Sequence, residues 1–411
     1  MWWIEEGHLT VKRNSLFIGP YKVSKLAKEV GTPVFIYNLF KVEKNFKQLE
    51  KGMKNAGLNQ FKICYSMKAN NHPLIIEKIK TLGGGIDTTS PGEVRWALKH
   101  GFSEKDIIFT GTSLSNDDLE FLNKCEGVLI NFDSISSLRR FKGKKGREIG
   151  LRINTGIGLG RNVFVTTGGV KAKSLPVKFG IPVDKLKEAV EIIKKRRWKL
   201  KCIHHHVGSD WMGEKINKYL QALKCLLEVT RKVENMLGYE VEVIDLGGGF
   251  GVPHSAEEKE FPVDMFFQKV YQTLSSYGKK CKVIIEPGNF ITGNAGILAV
   301  EVNTVEEKHG RLFVGVNAGL NVFNSPSLYH IYHEIVVCDR CTDRSLFPVT
   351  VVGNICETVD IFAIDRLLPS IKEGDILAIL NAGAYGSVMS NEYNLRPKGR
   401  EVVVMEDKVC I

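Results

Sequence analysis

The stretch Tyr65-Ser-Met-Lys-Ala-Asn70 joins two different sequence patterns. Residues 61–64 before it are short and apolar, as in a buried strand, and from Asn71 onward the apolar residues follow helical spacing. A lysine at the end of a buried strand is costly to desolvate unless it is paired, neutral or covalently used. A lysine with a lowered pKa is the side chain that forms Schiff bases. Lys68 is therefore either a surface lysine or a covalent anchor, and the rest of the chain must decide between the two.

Strand and helix patterns alternate on both sides of this stretch. A strand is predicted at 33–37, a helix at about 42–55, and a further helix after Ser90-Pro-Gly-Glu93, which has an N-cap Ser, an N1 Pro and an N3 Glu. Eight apolar strands alternate with helices from residue 61 onward, which is the count of an α/β fold with a (β/α)8 (TIM) barrel. The predicted strands end near Ser66, Asp87, Thr110, Asn131, Asn154, His206, Gly247 and Glu286.

Near residue 290 the pattern changes to strands with little helix between them, which predicts a C-terminal all-β domain. We expect a barrel domain over residues 33–290 and a β-rich domain built from residues 1–32 and 291–411. The predicted strands of the second domain are Ile297–Val302, Arg311–Val316, Val349–Val352, Ile376–Leu380 and Arg400–Met405.

The composition is that of an ordinary globular protein, with 43% hydrophobic and 25% charged residues in a chain of 411. The excess of 57 basic over 46 acidic residues gives a net charge of +11, which could suggest an anionic partner. However, the lysines are scattered, and the short basic clusters at 142–145 and 194–197 are not interleaved with stacking aromatics. We therefore expect a solvated basic surface and no nucleic-acid partner.

Other features favour a cytoplasmic location. The N-terminal residues 1–6 include acidic side chains and no apolar stretch of signal-peptide length, and no run approaches the roughly 20 apolar residues of a membrane span. Nine cysteines, an odd number without paired spacing, indicate reduced thiols. The C-x-x-C at Cys338 and Cys341 has no second pair near it, so no zinc site is predicted.

The ends of barrel strands are where enzymes of this architecture carry their working residues. Six of the eight predicted strands bring a polar, chargeable or glycine group to this end, which a structural protein does not need. These groups are Lys68, Asp87, Arg152, His206 with Ser209, the glycines Gly247, Gly248 and Gly249, and Glu286.

The glycine run in Asp245-Leu-Gly-Gly-Gly-Phe-Gly251 offers backbone N–H groups with no side chains in the way, which suits a phosphate; a flexible turn is the alternative. The run does not match G-x-G-x-x-G, so a dinucleotide fold is not predicted. In His204-His-His206, alternation places the first and third imidazoles on one face of the strand. A metal would need further ligands, whereas the ring of His206 could lie flat against a planar ligand.

Glu286 ends an apolar strand and needs a partner if it is buried. A structural salt bridge is one possibility, and a protonated pyridine nitrogen is another. A lysine, a phosphate loop, a stacking imidazole and a carboxylate for a ring nitrogen together fit one ligand, pyridoxal 5′-phosphate (PLP). Lys68 would hold it as a Schiff base, and the ring would act as an electron sink for an amino-acid substrate.

The chain resembles the barrel-fold (fold type III) PLP-dependent decarboxylases, and within them the diaminopimelate decarboxylases most. The resemblance covers nearly the whole chain and implies a role for each motif in turn. Lys68 matches the Schiff-base lysine, and residues 87–93 match the segment whose acid, Asp87, approaches it. His206 would stack on the ring, Ser209 and residues 245–251 would hold the phosphate, and Glu286 would contact the ring nitrogen.

The C-terminal domain resembles the same family. Val352-Gly-Asn-Ile-Cys-Glu357 is similar to a segment that crosses a dimer interface, which implies that Cys356 donates a proton after carbon dioxide leaves and that Glu357 lies beside the substrate. Residues 381–386 resemble the segment that places a tyrosine, here Tyr385, near the cofactor. The resemblance thus implies a homodimer with shared active sites.

Two departures from the family pattern each remove an arginine, and Thr358-Val359 also stands where Ser-Gly is usual. Asn289 stands where an Arg usually follows Glu-Pro-Gly, and Ser325 stands where an Arg usually precedes Pro. Neither side chain can replace the charge of an Arg that binds a carboxylate. The implied reaction is meso-diaminopimelate to L-lysine and carbon dioxide, but a different, modified or carrier-attached amino acid of the ornithine, lysine or arginine type stays open.

Two further alternatives concern the chemistry. An amino-acid racemase would use the same barrel, but it usually needs a tyrosine base opposite the lysine, whereas Cys356 and Glu357 indicate decarboxylation. A non-catalytic PLP-binding homologue would have no use for both Lys68 and the proton donor Cys356.

Overall fold

The protein is described from a computed structural model that covers residues 1–278, 280–406 and 408–410. Eight parallel strands close into a barrel, because the fourth strand pairs with the fifth and the eighth pairs with the first. The prediction of a (β/α)8 barrel is therefore confirmed. The barrel strands are Phe61–Ser66, Gly85–Thr88, Ile107–Phe109, Leu129–Phe132, Glu148–Asn154, Lys199–His204, Val243–Asp245 and Lys282–Ile285.

Helices connect the strands and surround the barrel, as the sequence pattern indicates. Each carries an apolar face, and Ser90 caps its helix as predicted by accepting a hydrogen bond from the Glu93 backbone N–H. The helix before the first strand is Leu39–Asn55, and those between successive strands are Pro73–Thr81, Pro91–Lys99, Asn116–Lys124, Ile135–Arg140, Leu186–Arg196, Ile216–Leu237 and Val263–Ser275.

A mostly β C-terminal region follows the barrel, as predicted. Its sheet contains three strands that the sequence pattern does not predict, because they are short or carry polar residues at exposed positions: Ile335–Val337, Ile361–Pro369 and Val409–Cys410. The other strands after the barrel are Gly296–Lys308, Arg311–Val316, Leu346–Val352, Ile376–Ile379 and Arg400–Val404, with a short helix at Ser325–Tyr329.

The first strand of the chain outside the N-terminal hairpins, Val34–Asn38, belongs to the second sheet. It pairs antiparallel with Gly296–Ala299 and parallel with Arg400–Val404. The predicted domain bounds stay a prediction, and this pairing favours a barrel domain that starts near residue 39 rather than 33. A five-residue apolar strand has a sequence that fits either sheet. Only the strands with which it pairs show to which sheet it belongs.

The N-terminal segment packs on the β-rich region. It forms three short strands, Leu9–Lys12, Ser15–Ile18 and Tyr21–Lys22, and a helix, Val23–Val30. Their apolar side chains share a core with the second sheet. In the described parts of the chain, no helix has the length and apolar character needed to cross a membrane.

Strand register determines which polar groups meet at the carboxyl end of the barrel. Ser66 pairs with Asp87 across the first two strands. His204 lies in one row with Arg152 on one side and Asp245 on the other. The site follows from this register.

Candidate active site

Lys68 lies in a single 3-10 turn, Met67–Ala69, directly after the first barrel strand. Its Nζ is 2.5 Å from Asp87 Oδ2 and 3.2 Å from Ser66 Oγ. The side chain keeps 32% of its surface exposed, whereas Asp87 is buried. The lysine therefore sits above a buried acid with its amine still open to a ligand.

The pKa of Lys68 is not lowered in the free protein. Burial lowers this pKa, but the negative charges of Asp87 and Glu286 outweigh burial and hold it above its ordinary value. The amine is thus charged and paired until a ligand or a proton transfer to Asp87 changes its surroundings.

Three of the buried carboxyl groups at this end of the barrel act on one another through their charges: Asp87, Asp245 and Glu286. Burial, and then the charge of Glu286, raises the pKa of Asp87 to about 7 and raises the pKa of Asp245 well above its ordinary value. Burial also raises the pKa of Glu286, but His204 and Lys68 overcome it and lower the pKa to about 2. Glu286 is therefore the carboxyl group that stays ionised.

Glu286 has one free oxygen. His204 Nε2 lies 3.1 Å from Oε2, while Oε1 is buried and has no partner among the described residues. An ionised oxygen without a donor is costly in a buried site. A cationic N–H group, such as that of a protonated pyridine ring, would satisfy it.

The glycine loop has both a packing role and free donors. A Cβ on Gly248 would lie 1.9 Å from the carbonyl oxygen of Glu286, and Gly249 has a φ of +91°. Within the described parts of the chain, the backbone N–H groups of these two glycines donate to no protein acceptor. The indole Nε1 of Trp211, also buried and unpartnered, lies 2.9 Å from where a Cβ on Gly249 would be. The loop therefore combines close packing with donors suited to an anion.

His206 follows the end of the sixth strand and is half-buried. Its Nδ1 lies 3.0 Å from Thr167 Oγ1, which fixes the ring. Burial, and then the charges of Arg152 and Lys68, lowers the pKa of His206 well below its ordinary value, so the ring is neutral. A neutral imidazole so placed can pack against an aromatic ligand.

Arg152 and Ser209 lie on the same side of the barrel end. The Arg152 guanidinium is buried and stacks 4.8 Å from the ring centre of Phe179. The Ser209 hydroxyl makes no hydrogen bond with any residue that the structure describes, while its backbone N–H donates to the carbonyl of Val165. The hydroxyl is thus available to a ligand.

The β-rich region covers this end of the barrel through the segment around Tyr385. Its backbone N–H donates to the carbonyl of Ala69 at 2.7 Å, and the Asn70 side chain donates to the carbonyl of Gly383. The charge of Lys68 acts on the pKa of Tyr385, which burial raises. The structure therefore places Tyr385 next to the lysine turn.

Cys356 and Glu357 do not contact the barrel residues of their own chain among the described contacts. The Cys356 thiol is exposed and accepts a hydrogen bond from Asn394 Nδ2 at 3.1 Å. Glu357 accepts a hydrogen bond from the Tyr393 hydroxyl. Both residues thus lie on an exposed surface of the β-rich region.

The donors at the two departure positions are already engaged. The Asn289 amide donates to Asp210 Oδ1 at 2.8 Å. Ser325 Oγ is 2.8 Å from His333 Nε2, and His333 Nδ1 faces the carbonyl of Leu380. Because Nδ1 must donate to that carbonyl in the neutral ring, Nε2 accepts from Ser325. Neither side chain offers a charge to a ligand.

Three side chains in the site could hold a metal ion by distance alone. The ligand atoms of His204, Asp245 and Glu286 all lie within 4.8 Å of one another. The sequence pattern groups His204 with His206 as possible metal ligands, but His206 does not belong to this group of three. The expectation of no metal stays a prediction.

Sequence reasoning missed several residues that shape the site. Thr167 and Asp210 are not predicted as site residues, and the contact of His204 with Glu286 and the raised pKa of Asp245 are not predicted either. For His204 a signal is present, because it lies within an apolar strand pattern, where a buried imidazole needs a partner. Thr167 and Asp210 lie in loops, whose contacts no periodicity predicts.

These residues fit PLP. The free oxygen of Glu286 suits the ring nitrogen, the unpaired N–H groups of Gly248 and Gly249 suit the phosphate, and Lys68 is the amine that can bind covalently. His206 and Tyr385 lie close enough to Lys68 for its charge to act on the pKa of each.

Comparison with known proteins agrees with this fit. Residues 39–293 match the family model described as the pyridoxal-binding domain of pyridoxal-dependent decarboxylases. The chain is 36% identical over 406 residues to a diaminopimelate decarboxylase of Methanothermobacter thermautotrophicus, covering 97% of this chain and 92% of the relative. It is 31% identical over 408 residues to that of Aquifex aeolicus, covering 98% and 93%.

Solved structures show the same relationship. The Helicobacter pylori diaminopimelate decarboxylase complexed with L-lysine has a TM-score of 0.84 at 30% identity, with 94% of each chain covered. The M. jannaschii enzyme complexed with L-lysine has a TM-score of 0.88 at 26% identity, covering 98% of this chain and 94% of the other. With a model match over more than half of its length and relatives above 30% identity, the chain belongs to the pyridoxal-dependent decarboxylase family.

Proposed function

We propose that this protein is a PLP-dependent decarboxylase that converts meso-diaminopimelate to L-lysine and carbon dioxide. The observation that carries the proposal is the ionised, buried Glu286 with a free Oε1 at the same barrel end as Lys68. Relatives that match over nearly the full chain are named diaminopimelate decarboxylase, which supports this substrate.

PLP, when bound, withdraws electrons from the α-carbon of an amino acid, so that the bond to the carboxylate can break. Glu286 would keep the positive charge at the ring nitrogen. His206, neutral and fixed by Thr167, would pack against the ring. Gly248 and Gly249, with the Ser209 hydroxyl, would bind the phosphate, and Arg152 would add positive charge at this end of the barrel.

Proton control falls to the pair of Lys68 and Asp87. The amine must lose a proton before it can act as a nucleophile, and Asp87 lies 2.5 Å away to accept it. With its pKa raised to about 7, Asp87 can hold that proton near neutral pH. Tyr385, whose backbone N–H donates to the carbonyl of Ala69, would lie beside the cofactor at the lysine turn.

We further infer a homodimer in which Cys356 of the partner subunit donates a proton to the α-carbon, with the partner's Glu357 beside the substrate. Two features support it: the Cys356 thiol is exposed, and apolar side chains are exposed in the same region, including Leu395 at 94% and Ile364 at 62%. All nine cysteines are free, which supports a cytoplasmic location.

A second candidate function is the same chemistry on an amino acid with no second carboxylate. The engaged donors of Asn289 and Ser325 favour it, because no arginine stands at either position. The substrate then has a side chain that ends in an amine or a neutral group.

Release of carbon dioxide from a panel of amino acids tests both candidates. We expect turnover of meso-diaminopimelate and a loss of about a thousandfold or more in Lys68→Ala, because the covalent anchor is removed. Lys62→Ala is the matched control, since this lysine lies on the same strand and pairs with Asp106. Turnover of lysine, ornithine or arginine without turnover of diaminopimelate would favour the second candidate.

The pH dependence of cofactor uptake tests the proton pair. Asp87 raises the pKa of Lys68, so uptake of PLP is expected to rise with pH as the amine loses its proton. In Asp87→Asn, burial is no longer offset by this carboxylate, and the pKa of Lys68 falls. The uptake profile should therefore shift to lower pH.

Stopped-flow absorbance at a series of pH values measures this shift. Asp106→Asn, which removes the partner of Lys62 at the other end of the strand, should leave the profile unchanged. A profile in Asp87→Asn equal to wild type, or shifted to higher pH, contradicts the assignment.

Subunit mixing tests the shared site. Lys68→Ala and Cys356→Ala should each be impaired as homodimers. After mixing and exchange, half of the dimers carry one intact site of two, so activity should recover to about a quarter of wild type. The control mixes Lys68→Ala with Glu286→Ala, which break the same half of the site and should give no recovery. Equal results for the two mixtures would argue against a site shared between subunits.

A further inference from the structure

Asp210 is a buried carboxylate with contacts from three other segments, and the proposed chemistry does not use it. Its side chain is 5% exposed. Oδ1 accepts hydrogen bonds from Asn289 Nδ2 at 2.8 Å and from the backbone N–H of Val252 at 3.4 Å. Oδ2 accepts a hydrogen bond from Arg161 Nε and lies 3.2 Å from His254 Nε2. A single side chain thus joins the loop after the fifth strand, the segment that follows the glycine loop, and the short helix Asn289–Thr292 after the eighth strand.

The positive charge of Arg161 is paired with carboxylates of the protein. Besides Asp210, its guanidinium contacts Glu258 at 2.5 and 3.1 Å and donates to the carbonyl of Val252 at 3.0 Å. Its backbone N–H donates to the carbonyl of Ser209 at 2.9 Å. Arg161 therefore acts as a counter-ion inside the protein and is not available to bind a second carboxylate of a substrate.

Contacts of Asp210 and of the next residue, Trp211, hold the glycine loop in place. Trp211 donates its backbone N–H to the carbonyl of Gly249 and accepts from the N–H of Gly251. With Val252 held by both Asp210 and Arg161, the end of the loop is anchored. The N–H groups of Gly248 and Gly249 are left without protein acceptors among the residues described.

The negative charge of Asp210 needs a positive charge near it. A lone buried carboxylate close to a phosphate loop would repel a dianion and would itself be costly to desolvate. Asp210 lies beside the loop, because a Cβ on Gly251 would be 2.9 Å from its Oδ1. The guanidinium of Arg161 offsets the charge of Asp210, so that Asp210 can organise the loop without repelling the ligand.

We propose that Asp210 is a positioning residue for the phosphate of the cofactor and that Arg161 is the counter-ion that makes this possible. The inference rests on the proposed PLP chemistry. It also gives a role to Asn289. This residue lacks the charge of an arginine, but its side-chain amide donates a hydrogen bond that holds Asp210 in place.

The test compares PLP with pyridoxal, which lacks the phosphate. In Asp210→Asn, Oδ1 can still accept, but the amide cannot accept from Arg161, and Asn tolerates the positive φ of 57° at this position. We expect the Kd for PLP, measured by absorbance titration of the cofactor-free protein, to rise about tenfold, the effect of about one charged hydrogen bond. The Kd for pyridoxal should change by less than about twofold.

Arg161→Gln tests the charge. It leaves Asp210 less well compensated, so the Kd for PLP should rise more than in Asp210→Asn, and the double variant should bind PLP more tightly than Arg161→Gln alone. The control is Arg139→Gln, which breaks the exposed pair with Glu188 and should leave both Kd values unchanged.

Several outcomes overturn the inference. PLP affinity within about twofold of wild type in both variants shows that neither residue positions the phosphate. Equal losses of affinity for PLP and pyridoxal would show a general structural role. If the effects of the two substitutions on the Kd for PLP are additive in the double variant, Arg161 is not the counter-ion of Asp210. If the wild type itself takes up no PLP, the proposed function fails, and that result is distinct from all of these.

Discussion

The site depends on one electrostatic constraint: Asp87, Asp245 and Glu286, three buried carboxyl groups whose charges act on one another, lie with Lys68 at the carboxyl end of the barrel. All three cannot be ionised at close range in a buried environment, so Asp87 and Asp245 have raised pKa values while Glu286 keeps its charge beside His204. This uneven distribution separates two tasks. Glu286 can stabilise a cation, and Asp87 can take a proton from Lys68.

The glycine loop shows how packing and binding impose the same sequence. Gly248 has no room for a side chain, because the carbonyl oxygen of Glu286 occupies the place of a Cβ. The same lack of a side chain leaves its N–H open to a ligand. The loop therefore does not need to be flexible to bind a phosphate, and its close contact with Glu286 couples the two ends of the cofactor site.

Much of this arrangement could be predicted from the sequence, because it depends on periodicity. Alternating apolar segments predict the eight strands, and strand ends in a barrel meet at one edge, so Lys68, Asp87, Arg152 and Glu286 could be grouped without coordinates. The sheet to which Val34–Asn38 belongs could not be predicted, because the residues of a strand do not show with which distant strands it pairs. The contacts of Asp210 escaped for the same reason: they join loops that are far apart in the chain.

The most direct measurement of the central claim is to find which lysine binds the cofactor. The protein is loaded with PLP, reduced with borohydride, digested, and its peptides are mapped by mass spectrometry. The account predicts one labelled peptide, with the added mass on Lys68, the amine that lies over Asp87 at 2.5 Å. A label on another lysine, or none on Lys68, would contradict it.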